Sequence, residues 1–393
     1  MSISAAKAST DLVTGWRARL VDARFWLRVS RLALMEGGPA RAWRIFKGFA
    51  SLVGSARDGR LLRRYARIGN GYAWDLHLPT FPSRAFDAFV RGELERLETG
   101  IAGAPHAAVF AITRRCGLAC AHCSEWTVLN RPEGLSSSEL KTTLAGLLRL
   151  GIKQIFFSGG EPLERLGDLL ALVRQAGDDT QCWLFSAASS LDARTAHLLK
   201  EAGLLGVVLS LDHWKPEAHD RFRGRSGAFD RAREGARHAR EAGLAVALSL
   251  CSTREFTTAE NLEAYRRVAL EFGASFVQIV EPKPEGHYRE KDVELSRTQR
   301  ALLEDFYERL CFGSGVNPIV SYSDLIARRI GCQGAGERYL FVDTDGTARA
   351  CPFSAATAGN LVREDPATVL AQLRAQGCPE PHTACLSMDR ATA

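Results

Sequence analysis

The sequence predicts an α/β fold built on a parallel sheet, and three features carry that prediction. From residue 107 onward, short apolar runs alternate six times with helical stretches. Runs such as 207–211 (VVLSL) and 276–280 (FVQIV) are apolar throughout, as strands covered on both faces must be. The chemically unusual residues fall just after these runs, where parallel α/β folds collect their chemistry.

Taken in order, the strands are expected at 107–112, 154–157, 182–185, 206–211, 245–250 and 275–280. Three helices between or after them open on capping boxes, Ser136 with Glu139, Thr257 with Glu260 and Ser296 with Gln299. Gly151, Gly203, Gly243 and Gly273 follow helices, where a left-handed residue closes the last turn. Six such units suit an open doubly wound sheet or a partial barrel.

At 393 residues the chain is long enough for two or three domains of about 150 residues. With 46% hydrophobic and 24% charged residues it can bury a core, which excludes wholesale disorder. No apolar run approaches the about 20 residues that span a bilayer, and the first 20 residues lack the apolar core of a secretory signal. A cytoplasmic protein is expected, peripheral at a membrane if its N-terminus engages one. Three domains are expected: a basic helical extension over 1–104, the core over 105–312 and a cysteine-rich unit over 313–393.

The net charge of +6 is uneven: residues 1–70 carry 14 Lys/Arg against 4 Asp/Glu, the rest 37 against 41. Trp16, Leu20, Phe25, Trp26, Leu32, Trp43 and Phe46 recur at helical spacing here, with Arg24, Arg28 and Arg31 interleaved. A packing cap with a solvated basic side and a membrane-surface arm both fit this pattern. No nucleic-acid-binding motif is visible, so no such partner is expected.

Ten cysteines are too sparse for a disulfide scaffold, and three stand within eight residues, Cys116-x3-Cys120-x2-Cys123. Three thiolates so close can grip one face of a 4Fe–4S cube and leave the fourth iron open. A zinc site would use the same donors, with His122 as a further ligand.

This triplet, placed after the first strand, resembles the defining motif of the radical S-adenosylmethionine (SAM) enzymes. The resemblance implies a partial (β/α)6 barrel in which the open iron chelates SAM. One electron, from a flavodoxin- or ferredoxin-like donor, then yields methionine and a 5′-deoxyadenosyl radical that abstracts hydrogen from a substrate or adds to it. Gly159, Gly160 and Glu161 match the family's GGEP motif beside the SAM amino group. Their glycines would let backbone approach a ligand. Ser186, Ser210 and Asp212 resemble residues that bond the ribose or face the substrate. Arg223, within HDRFRG, resembles the arginine that pairs the SAM carboxylate. His122 stands where the family usually has an aromatic residue.

Near the C-terminus, Cys332, Gly346-x4-Cys351, Cys378 and Cys385 resemble the auxiliary-cluster extension called SPASM or, shortened, twitch. Four cysteines rather than seven imply one auxiliary 4Fe–4S cluster, with a structural zinc ribbon as the alternative. A hairpin turning at Asp345-Gly346 and a helix near 366–376 are expected within it. Cys182 and Cys311 read as small buried hydrophobes; Cys251, at a strand end, invites the same reading or that of a hydrogen-atom donor or cluster ligand. The sequence thus points to a radical SAM enzyme acting on a peptide or a lipid- or terpenoid-like substrate. The alternative is a non-catalytic iron–sulfur or zinc protein, in which GGEP and HDRFRG would have no purpose.

Overall fold

The computed structural model describes residues 12–37, 39–60, 64–379 and 381–385. A short strand β1 (Leu12–Thr14) leads into two long helices, α1 (Gly15–Gly37) and α2 (Pro39–Ala56). A hairpin of β2 (Arg64–Ile68) and β3 (Gly71–Ala73) and a helix α3 (Arg84–Thr99) follow. The extension expected to be helical therefore also holds a three-stranded antiparallel sheet, β1-β2-β3. Its strands are three to five residues long, too short for alternation to stand out in the sequence. Phe25 of α1 packs against Trp26, Phe49, Trp74, Phe81 and Phe86 at ring separations of 5.0–6.4 Å, so an aromatic cluster ties these helices to the hairpin.

The repeat runs through β4 (Ala107–Ala111), α4 (Ser137–Arg149), β5 (Gln154–Ser158), α5 (Leu166–Ala176), β6 (Gln181–Ser186) and α6 (Ala193–Ala202). It continues with β7 (Leu204–Ser210), α7 (Pro216–Arg223), α8 (Ala228–Glu241), β8 (Ala245–Cys251), α9 (Ala259–Glu271), β9 (Phe276–Val280) and α10 (Arg297–Phe312). Strands β4 to β9 pair in parallel and in chain order. All six expected strands are present. The boxes at Ser136–Glu139 and Ser296–Gln299 form. The third does not: Thr258 caps α9, while the Thr257 hydroxyl donates to Thr253 O at 2.6 Å and is spent in the preceding turn. Gly151, Gly203, Gly243 and Gly273 are all left-handed.

The chain ends with β10 (Ile319–Ser321), α11 (Ser323–Ile330), β11 (Tyr339–Val342), β12 (Thr347–Arg349), β13 (Thr357–Asn360) and α12 (Pro366–Gln376). The sheet does not stop at six strands. β10 adds in parallel to β9, β11 adds in parallel to β4, and β12 and β13 continue antiparallel. The segment after 313 thus supplies both flanks of the parallel core, and one hydrophobic cluster runs from Ala66 to Leu373. The Asp345-Gly346 hairpin is present between β11 and β12, with Gly346 at φ 85°.

Segment 74–80 lies across the sheet and binds several strands at once. Leu76 N donates to Ser321 Oγ (2.8 Å), Gln154 Nε2 to Leu76 O (3.2 Å) and Thr80 N to Gln181 Oε1 (3.0 Å). Gln154 and Gln181 begin β5 and β6, so this segment floors the amino ends of the strands. The carboxyl ends carry the loops that build the site.

Candidate active site

The chain leaves β4 as a loop without regular structure from Thr113 to Cys123. Five neighbours fix it. Thr113 Oγ1 and Arg114 N donate to Glu133 at 2.6 and 2.9 Å, and Cys116 and Asn130 exchange bonds of 3.0 and 2.9 Å. From the SGGEP loop, Gly160 N donates to Thr113 O (2.8 Å) and Glu161 N to Arg115 O (2.7 Å). Ala119 N and Ala121 N donate to the carbonyls of Arg223 and Phe222 at the end of α7. After β9, His287 N donates to Cys123 O (2.9 Å), its Nδ1 lies 2.8 Å from Cys120 O, and its ring stacks on Trp126 at 3.9 Å. The role of 281–288 as a clamp on the cysteine loop carries no motif in the sequence.

The fold itself also requires the GGEP glycines. A Cβ on Gly160 would stand 2.2 Å from Arg115 O, and one on Gly159 would stand 2.5 Å from Thr113 O. The close approach that requires glycine is to the cysteine loop. Glu161 is buried, and its carboxylate accepts from Leu163 N, Ser186 Oγ and Ala187 N at 2.8–3.2 Å. Burial pushes its pKa up, although these donors oppose the shift. The Ser186 hydroxyl donates to Glu161 and accepts from Ala188 N, so it braces the loop and has no proton left for a ribose. Ser210, at the end of β7, lines the cavity.

Asp212 is also placed differently. It does not line the cavity; its Oδ2 pairs with Arg223 Nη2 at 2.6 Å and its Oδ1 accepts from Cys251 N at 3.0 Å. Its amide donates to Nδ1 of buried His219, whose pKa burial lowers to about 4, leaving a neutral ring with its proton on Nε2. Arg223 does line the cavity and donates from Nη1 to Cys120 Sγ at 3.5 Å. Asp212 therefore positions Arg223. His122 stacks on Phe222 at 4.9 Å.

One cavity of about 500 Å³ carries all of the candidate residues except Asp212, including Cys116, Cys120, Cys123, Cys332, Cys351, Cys378 and Cys385. The four C-terminal cysteines lie close enough for their charges to interact, as do the first three. Burial pushes the thiols of Cys116 and Cys351 up to about 11 and those of Cys123 and Cys385 up to about 12. Such thiols keep their protons until a metal displaces them. Lys283, 2.9 Å from Asp324 and over the Phe353 ring, borders the second set. Cys251 is buried beside Asp212, and Cys182 and Cys311 belong to the core. The residues present fit a cluster-and-SAM site in two respects. The donors are thiols in sets of three and four, and His122 Nδ1 and Arg223 Nε are buried beside the triplet without a hydrogen-bond partner. Among the described residues no three His, Cys, Asp or Glu side chains gather around a single ion position. A cube makes no such demand, since its thiolates bind separate irons.

A parallel α/β core with an open thiol triplet at its carboxyl face defines the class of protein. Residues 110–268 match the Radical SAM superfamily. It is 33% identical to an AdoMet-dependent heme synthase of Oleidesulfovibrio alaskensis over 39% of this chain and 42% of that protein. The chain thus spans about two-fifths of that relative's length. Mycofactocin maturase MftC of Mycobacterium tuberculosis is 28% identical over 66% of this chain and 68% of its own. Among solved structures, Streptococcus suis SuiB bound to S-adenosylmethionine shares the fold, with a TM-score of 0.57 at 15% identity, covering 86% of this chain and 79% of that one.

Proposed function

We propose that this protein is a radical SAM enzyme with one auxiliary 4Fe–4S cluster. The observation that carries this reading is the single cavity shared by the thiol triplet, Arg223 and four further cysteines. Cys116, Cys120 and Cys123 would hold the SAM cluster, and Cys332, Cys351, Cys378 and Cys385 the auxiliary one. Bound there, cluster and SAM supply one-electron cleavage of SAM to a 5′-deoxyadenosyl radical, the electron coming from a flavodoxin- or ferredoxin-like donor. Arg223 supplies a guanidinium for the SAM carboxylate, oriented by Asp212. Glu161 and Ser186 lock the loops beneath it, and the apolar walls exclude water from the reaction. Anaerobic reconstitution should give about eight irons per chain and 5′-deoxyadenosine from SAM and dithionite. Zinc in place of iron, or iron without SAM cleavage, would favour the non-catalytic alternative. Replacing Cys332 and Cys351 together should remove about half of the iron and leave the SAM-cluster signal. Unchanged iron content would refute the auxiliary site.

The substrate partner is read from two observations. SuiB has been solved with its precursor peptide SuiA. A second observation favours a membrane-resident substrate. On α1, Trp16, Leu20, Leu27 and Leu34 are 68, 50, 71 and 52% exposed. At 100° per residue they fall within about 40° of one another. Exposed Arg17, Arg24 and Arg31 flank them, and Ala18, Val21, Phe25, Val29 and Leu32 bury the opposite face. An apolar stripe edged by arginines suits the interface of anionic lipid. No described helix is long and apolar enough to cross a membrane. The triple variant Trp16→Ser, Leu27→Ser, Trp43→Ser should bind phosphatidylglycerol-containing vesicles about tenfold more weakly in a flotation assay. Equal binding would reduce this unit to a packing cap. Deleting residues 1–70 is a poorer test, because Phe25 and Tyr65 belong to the local core.

A further inference from the structure

The cavity wall contributed by α2, the segment after β3 and α10 holds a feature the radical chemistry does not use. Arg57, just beyond α2, is 8% exposed, lines the cavity and has its guanidinium 5.6 Å from the Trp74 ring centre. Among the described residues no carboxylate lies within ion-pair distance of it, and its side chain makes no hydrogen bond. The two acids whose charges it feels are already engaged. Asp22 accepts from Tyr65 Oη at 2.8 Å, and Asp75 accepts from His77 N at 2.8 Å. Tyr307 of α10 lines the same cavity beside it, 6% exposed, and its hydroxyl likewise has no hydrogen-bond partner among the described residues.

A guanidinium that faces a largely apolar cavity without an ion-pair partner is held at a desolvation cost, and the Tyr307 hydroxyl on the same wall offers a second donor. Two such donors on one cavity wall mark a place where an anion belongs. The surrounding wall is Phe49, Leu52 and Val53 of α2 with Trp74. A single guanidinium balances one negative charge, and its planar fork matches a carboxylate. About 500 Å³ lies within the range of small-molecule sites.

We infer that Arg57 and Tyr307 form an anion subsite that anchors the carboxylate of a substrate whose apolar body lies in the cavity shared with the cysteines. This assigns a substrate class, a carboxylate-bearing amphiphile, and rests on the radical SAM reading only for what becomes of that molecule.

The test uses the full-length, anaerobically reconstituted protein and two probes, decanoate and decanol, in calorimetric titrations. Wild type should bind decanoate about tenfold or more tighter than decanol, the scale of one charge-assisted hydrogen-bonded pair. Arg57→Met should bring the two within about twofold of each other, Arg57→Lys should keep part of the preference, and Tyr307→Phe should lose less than Arg57→Met. Removing an unbalanced buried charge should leave the melting temperature of Arg57→Met equal or higher, whereas a structural arginine would lower it. Equal binding of the probes by wild type, or an undiminished preference in Arg57→Met, would overturn the inference; Arg57→Lys and Tyr307→Phe decide it should Arg57→Met fail to fold. Binding needs no turnover. A protein that selects decanoate but never forms 5′-deoxyadenosine would refute the enzymatic reading and leave the subsite standing.

Discussion

Alanine in place of Cys116, Cys120 or Cys123 is expected to bring 5′-deoxyadenosine formation down to the enzyme-free background and to remove about four of about eight irons. The reason lies in how the loop is held. Its backbone is fixed by Glu133, Asn130, the GGEP amides, the end of α7 and His287, none of which is a cysteine contact through sulfur. Deleting one sulfur therefore leaves the loop in place with a cluster face it can no longer close. A free buried cysteine packs as a small hydrophobe, so the apo-variants should melt within a few degrees of apo wild type. Loss of product at unchanged melting temperature would then report chemistry rather than folding. Substantial SAM cleavage in any of the three variants would sink the assignment of this loop as the cluster site.

The parts of this molecule that were legible in the sequence are those that recur or that carry rare residues. The six strands from β4 to β9 were readable because each is a run of apolar residues bounded by helices with their own stop signals, such as Gly203 and Gly243. The cysteine loop was readable because three thiols at fixed spacing have few other uses. The edge strand β10 was not readable: at three residues it has no period, and only the sheet's need for a partner calls it into existence; β11 was legible as half of the Asp345-Gly346 hairpin but not as a partner of β4. Within the site, residue types were easier to read than their contacts. Serine, aspartate and glycine at strand ends were expected to meet a ligand; Asp212 stands outside the cavity, while Ser186, Gly159 and Gly160 line it and also hold neighbouring loops together. A sequence shows which groups are available, but not which of them the fold has already satisfied. Arg57 shows the converse. It sits in a run of basic residues and nothing in that run distinguishes it; only burial without a partner does.

Asp212→Ala and Arg223→Leu are each expected to destabilise the protein by about 3–5 kcal/mol, seen as a fall in the urea midpoint, because each strands a buried charge. The pair sits at 2.6 Å with both side chains almost wholly buried, so water cannot replace the missing partner. In the double variant Asp212→Leu, Arg223→Leu both charges leave together, and most of the loss should be recovered, since an apolar pair of similar volume often matches a buried ion pair. The remaining deficit should reflect the Cys251 amide, which loses its acceptor at 3.0 Å. SAM affinity should separate what stability does not. It should be lost in both Arg223 variants, whether stable or not, and only weakened in Asp212→Asn, where the guanidinium is still present but less firmly aimed. A double variant as unstable as the sum of the two singles would show that the charges are not coupled. SAM binding retained without Arg223 would remove the carboxylate role from that residue and leave the Asp212–Arg223 pair as a strut for the cysteine loop.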